Sequence, residues 1–182
     1  MIILIGGRAG EGKSTFAAFC GDYLLKDLDI SSVVVPFAAK VKDTAFEMGW
    51  DGNKDEKGRK LLQEIGRIGR EYDIDLWANH AIEYIKDCDA QGFEYYFIDD
   101  WRFPNEAKAV KDHFHPVVLV RMRRPEEYHT LFGTAMYNDV SEASLPDEDS
   151  YYDYVINNNK SLDDLKAKAK EFVDEILKKR RV

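Results

Sequence analysis

Gly7-Arg8-Ala9-Gly10-Glu11-Gly12-Lys13-Ser14 has the G-x-x-x-x-G-K-S spacing of a phosphate-binding loop. Glycines there let the backbone curl so that several N–H groups point at one anion, and the start of a helix adds partial positive charge. The expected triphosphate contacts are Gly10, Glu11, Gly12, Lys13, Ser14 and Thr15. Lys13 is suited to the β- and γ-phosphates and the Ser14 hydroxyl to Mg²⁺. The flanks agree. An apolar run, Ile2-Ile3-Leu4-Ile5, precedes the loop, and Phe16, Phe19, Cys20, Tyr23 and Leu24 follow on one helical face. These residues imply a site for ATP with Mg²⁺.

Three further groups carry charge suited to a second ligand. Taken as a helix, 58–70 aligns Arg59, Gln63, Gly66 and Arg70 in one stripe, with Leu61, Ile65 and Ile68 facing roughly the opposite way. Two guanidinium groups suit a phosphate and an amide suits a base edge. A solvated polar face is the plain alternative, but Gly58, Gly66 and Gly69 would only weaken an ordinary surface helix. In Asp99-Asp100-Trp101-Arg102, an aspartate at a strand's carboxyl end is placed to organise Mg²⁺. Asp100 or Asp99 can fill that role, and Arg102 can reach a phosphate. Arg121, Arg123 and Arg124 are expected to leave the fourth strand together and to supply cations for the migrating phosphoryl group. His80, His113, His115 and His129 show no metal-ligand spacing, and no Ser-His-Asp or Cys-His constellation is suggested.

Elements must hold these groups. Strands are expected at 2–5, 31–36, 94–99, 116–121 and 152–156, as nearly continuous apolar runs separated by helical patterns. That alternation implies an α/β fold, a three-layer α/β/α domain on a five-stranded parallel sheet with right-handed crossovers. The 182 residues fit one domain, 1–182, with an acceptor-binding insertion at 37–92 and a lid-like insertion at 122–150. A last helix starts at Ser161 and packs through Leu162, Leu165, Ala169, Phe172 and Ile176.

The net charge of −8 argues against a polynucleotide partner, since phosphate backbones need a basic footprint. The basic run Lys178-Lys179-Arg180-Arg181 reads as cations at a helix end. Cys20 and Cys88 read as reduced structural thiols, which points to a cytoplasmic protein. Met1 leads directly into a core strand, so no signal peptide is expected, and no apolar run approaches membrane-spanning length.

Taken together, these segments resemble the phage-type deoxynucleoside monophosphate kinases, a branch of the P-loop nucleoside monophosphate kinases. Phe37-Ala38-Ala39-Lys40-Val41-Lys42-Asp43 resembles their F-A-x-x-L-K-[DE] segment. Arg59 through Arg70 resembles R-x-L-L-Q-x-x-G-x-x-x-R, Trp77 falls where they often carry Trp, and Asp100 through Ala107 resembles D-V-R-F-P-N-E-A. Tyr154-Val155-Ile156-Asn157-Asn158 is similar to the last strand and adenine-contacting loop of related kinases. The resemblance implies ATP and Mg²⁺ as donor and a deoxynucleoside 5′-monophosphate as acceptor. It places Phe37, Lys42, Arg59, Gln63, Arg70, Trp77, Asp100 and Arg102 at the acceptor site, and Asn158 at the donor base. Lys13, Asp100, Arg102, Arg121 and Arg124 would act in catalysis, and Ser14 and Asp100 on the metal. Ser14 stands where the family often has Asp, Trp101 replaces a small residue, and Asp139-Val140 precedes Ser141-Glu142 where a His is common. The rival expectations are a kinase for another small acceptor, such as dephospho-coenzyme A, and a nucleotide-dependent switch. A homodimer is a candidate assembly.

Overall fold

The structure, a computed structural model, describes residues 1–128 and 143–180. Five strands form one sheet: β1 (Ile2–Gly6), β2 (Ser32–Val34), β3 (Tyr95–Trp101), β4 (Val117–Arg123) and β5 (Tyr154–Asn157). Their order is β2-β3-β1-β4-β5 and every pairing is parallel. β1 is central, with Ile2 opposite Tyr96 on one side and Val117 on the other. Six α-helices accompany the sheet among the described residues: α1 (Lys13–Leu28), α2 (Ala39–Glu47), α3 (Glu56–Tyr72), α4 (Leu76–Asp89), α5 (Pro104–His113) and α6 (Leu162–Arg180).

Side chains alternate across a strand, so β1 feeds two cores. Ile3 and Ile5 meet α1 and α6 through Phe16, Cys20, Leu24, Leu165, Ala169 and Phe172. Ile2 and Leu4 join Ala78, Ile82 and Ile85 of α4 and Val110 of α5. A sheet covered on both faces explains the unbroken apolar strands seen in the sequence. Leu162 departs from its expected place. It is on the packing face but in the first turn of α6, ahead of Leu165, and is 67% exposed. The Ser161 hydroxyl caps that turn by accepting from the Asp164 N–H at 3.2 Å.

Several boundaries move, and β5 runs Tyr154–Asn157 rather than 152–156. β2 is shorter than 31–36, although the Val35 N–H still donates to Phe97 O at 2.8 Å. β3 continues to Trp101, which sits opposite Gly6. β4 continues to Arg123, so Arg121 and Arg123 are strand residues and only Arg124 follows the strand. The expected insertion at 37–92 resolves into two parts. α4 is a core crossover helix, and the addition is α2 with α3. Of the lid expected at 122–150, Met122 and Arg123 belong to β4 and Glu126–Tyr128 form a 3₁₀ turn. Residues 129–142, which include His129, Ser141 and Glu142, lie outside the described residues. Leu145 then returns to the core beside Trp101 and Tyr152.

Two of the α3 glycines, Gly58 and Gly69, face indole rings, and Gly66 faces the Arg70 guanidinium. A Cβ on Gly58 would fall on Asn53 O and the Trp50 ring nitrogen, and one on Gly69 would fall on the Trp77 indole. The Trp77 Nε1–H donates to Gly66 O at 2.9 Å, which seats α3 on α4. Gly→Ala in a helix usually stabilises by about 1 kcal/mol. Here the sign reverses: Gly69→Ala is expected to destabilise by about 1–3 kcal/mol through overpacking. Urea denaturation followed by circular dichroism checks it, and an unchanged or raised midpoint would contradict the packing described.

Candidate functional site

The loop between β1 and α1 carries three glycines at positive φ: Gly7 (143°), Gly10 (86°) and Gly12 (93°). Few other residues adopt such angles, which is the physical content of the motif. The Lys13 ammonium folds back over the loop, donating to Gly7 O at 2.6 Å and Arg8 O at 2.9 Å. Ser14 is exposed in the first turn of α1 and Thr15 is half-buried. Glu11 behaves differently from expectation. Its backbone belongs to the loop, but its side chain is buried and Oε2 accepts from the Arg8 N–H at 2.6 Å. The Arg124 N–H is also directed at this carboxylate, so Glu11 ties the loop to the end of β4. Burial pushes its pKa above the usual carboxylate range, against the pull of Arg121, the Arg8 N–H and Lys13.

Asn158 also departs from expectation. Its buried amide donates to Glu11 O at 3.1 Å and abuts Gly12, where a Cβ would meet Nδ2. It buttresses the phosphate loop from β5, a contact that motif spacing alone does not reveal.

The three arginines separate. Arg123 is held by Asp149 Oδ1 (Nε at 3.0 Å, Nη2 at 2.7 Å) and by Asp147 Oδ1 at 3.1 Å. Arg121 is buried opposite Gly6, at the root of the loop, with Asp147 at 3.6 Å and Tyr152 5.8 Å from its guanidinium carbon. Arg124 Nη1 lies 3.4 Å from Gly10 O. The Nε atoms of Arg121 and Arg124 are buried without a hydrogen-bond partner. Orphaned cationic donors beside a phosphate loop suit an anion. Loop, lysine and arginines therefore fit a nucleoside triphosphate. Among the described residues no group of three or more His, Cys, Asp or Glu is arranged to hold a metal ion. Mg²⁺ would rest chiefly on Ser14 and the phosphates.

On the other side of β1, two buried carboxylates shape a second cluster. Asp100 accepts from the Phe37 N–H at 2.8 Å and the Ala38 N–H at 3.0 Å, so both its oxygens already hold the turn into α2. Its expected metal role gives way to this clamp, while Lys42 acts on it electrostatically. Glu106 Oε2 accepts from the N–H groups of Arg102 (2.9 Å) and Phe103 (3.0 Å), fixing the backbone from which Arg102 projects. The Arg70 guanidinium lies 4.5 Å over the Phe103 ring. Lys42 thus acts on Asp100, Arg70 lies over Phe103 and acts on Glu106, and Glu106 holds the backbone of Arg102. Arg59 and Gln63 are exposed further up α3. Phe37 and Trp77 are core residues, 3% and 7% exposed. A groove of about 420 Å³ between α2 and α4 is not this site; of the expected acceptor residues only Phe37 lines it.

No family model matches the chain. The uncharacterized protein ORF77 of Ictalurid herpesvirus 1 (strain Auburn) is 31% identical over 151 residues, covering 83% of this chain. The match spans 60% of that relative's length. Among solved structures, a sugar kinase from Janibacter sp. HTCC2649 superposes with a TM-score of 0.57 at 13% identity, over 95% of this chain and 94% of its own. Dephospho-CoA kinase from Campylobacter jejuni gives 0.55 at 16% identity over 98% of each chain. The Mycobacterium tuberculosis APS kinase CysC, bound to AMPPNP and APS, gives 0.53 at 13% identity over 95% of each chain. The chain has the three-layer P-loop kinase fold. No helix among the described residues is long and apolar enough to cross a membrane.

Burial pushes the Glu106 carboxyl up to about 7, against the Arg102 and Phe103 N–H groups that pull it down. The folded protein therefore holds a proton there between the ordinary carboxylate pKa and about 7 that the unfolded chain has released. That contribution to stability is complete at low pH and is lost as pH rises through 7. Glu106→Gln keeps an accepting oxygen and carries no charge. It is expected to match the native protein near pH 5 and to exceed it by about 1–3 kcal/mol at pH 8. Thermal unfolding across pH checks this; a constant offset at every pH would contradict it.

Proposed function

We propose that the chain transfers the γ-phosphoryl group of ATP to a (deoxy)nucleoside 5′-monophosphate, giving the diphosphate. The observation that supports this reading is that β1, which leads into the phosphate loop, lies between β4, whose end carries Arg121 and Arg124, and β3, which leads into Arg102. Lys13 with the orphaned Arg121 and Arg124 lies on one side, and Lys42, Arg70 and Arg102 on the other. Phosphoryl transfer asks the protein mainly to position two anions and to neutralise charge on the moving group. Mg²⁺, when bound with ATP, would supply further charge neutralisation on the β- and γ-phosphates, held by Ser14. Lys13 screens the same oxygens from the loop. Arg121, buried and poorly paired, gains most when charge spreads onto the equatorial oxygens of the migrating group. Arg102 and Arg70 orient the acceptor phosphate, and Lys42 and Gln63 line its approach. An acceptor phosphate is already anionic, so no general base is needed.

The fold match to a dephospho-CoA kinase keeps that acceptor as the second reading. ATP consumption with Mg²⁺ across all common deoxy- and ribonucleoside monophosphates and dephospho-coenzyme A, with products weighed by mass spectrometry, separates the two. Diphosphate from one or more nucleotides is expected. Product from dephospho-coenzyme A alone would replace the first reading with the second, and ATP loss without a phosphorylated acceptor would sink both. Lys13→Ala and Arg121→Ala should each lower kcat by about 10²–10³. Arg123→Ala, whose guanidinium is already engaged by Asp147 and Asp149, should lower it less than tenfold. Equal losses at positions 121 and 123 would contradict the division of roles.

A further inference from the structure

A carboxylate is buried inside a loop suited to an anion. Glu11 is 5% exposed and lies among the cations that the proposed reaction uses. Its Oε2 accepts from the Arg8 N–H at 2.6 Å, and the Arg124 N–H is directed at the same group. Arg121 and Lys13 act on it electrostatically. The fit is close: a Cβ on Gly7 would fall 2.5 Å from Glu11 Oε2 and 3.0 Å from Met122 O. Holding two N–H groups asks only for an accepting oxygen, which an amide would supply without a buried charge. Charge at this position is costly to desolvate, and the clamp on the loop does not require it.

We propose that Glu11 is a fixed counter-charge that weakens nucleotide binding enough for the product nucleotide to leave. The effect on affinity needs only the phosphate loop, whereas the effect on turnover rests on the kinase reading above. Cations suited to charge on a migrating phosphoryl group also hold the phosphates of the product. Attraction shared by ground and transition states does not raise kcat, and release of product limits many enzymes. A carboxylate among those cations offsets part of the shared attraction, in a place where water and salt screen little. Asp147 also faces Arg121, at 3.6 Å, but its side chain is 83% exposed and it faces Arg123 as well. Solvent screening leaves it a small share of the effect. Burial therefore singles out Glu11.

Calorimetric titration of the full chain with Mg²⁺ and either ADP or a non-hydrolysable ATP analogue, at pH 8 to keep the carboxyl ionised, tests this. Glu11→Gln retains an oxygen for the two N–H groups and removes the charge. It is expected to bind ADP about tenfold more tightly than the native protein, with an unchanged melting temperature. The gain should be larger for the ATP analogue, because one more phosphate escapes the repulsion. Asp147→Asn should change either affinity less than about threefold. Glu11→Ala loses the clamp as well as the charge. Its absolute affinities should fall, yet its preference for the ATP analogue over ADP should rise as in Glu11→Gln. With an acceptor, Glu11→Gln should show a full first turnover followed by a steady rate several-fold below native. If neither protein turns over any acceptor, the kinase reading fails and the ADP titration still decides the role of Glu11. Unchanged or weaker ADP binding by Glu11→Gln, or an equal gain for ADP and the ATP analogue, would overturn the proposal.

Discussion

The site depends on a loop whose curl, set by three glycines at positive φ, gathers N–H groups suited to an anion. Several N–H groups pointing into one space repel nothing when an anion fills it and are poorly satisfied when it does not. Three contacts hold this loop in shape. The Glu11 carboxylate takes the Arg8 N–H and reaches the end of β4, the Asn158 amide grips Glu11 O from β5, and Lys13 bridges two loop carbonyls. The glycine at position 12 is needed twice, for its left-handed φ and for the room Asn158 occupies. Sheet order does the rest. β1 is flanked by β3 and β4, so whatever ends those strands stands beside the loop.

Buried carboxylates work as backbone clamps on the acceptor side. Asp100 and Glu106 each hold two N–H groups, one pair at the turn into α2 and the other at the turn into α5. A buried charge is costly unless it is hydrogen-bonded, and both carboxyls are pushed up by that burial. Lys42 acts electrostatically on Asp100 and Arg70 on Glu106, while Arg123 is forked onto Asp147 and Asp149.

Much of this was legible in the sequence because it is local. The loop motif, the apolar strands and the periodicity of α3 are written in consecutive residues, and they locate Lys13, Ser14 and the Arg59–Arg70 stripe. What escaped was tertiary. Asp100 sits at a strand end as a metal ligand would, yet its partners are N–H groups more than sixty positions earlier in the chain. Trp77 and Asn158 matched positions associated with ligands, but one packs an indole on Gly69 and the other braces a loop 147 residues away. Arg121, Arg123 and Arg124 are indistinguishable by type and spacing. Only the returning segment at 147–149 reveals which of them is engaged.

The central claim is that the phosphate loop and the Lys42–Arg70–Arg102 cluster are two halves of one site. Calorimetric titration with a bisubstrate analogue, two nucleosides joined through five phosphates, tests it most directly. Binding tighter than ATP, weakened at least tenfold by Lys13→Ala and also by Arg102→Ala, is the result expected. Binding no tighter than ATP and indifferent to Arg102→Ala would show that the cluster serves something other than an acceptor placed in line with the loop.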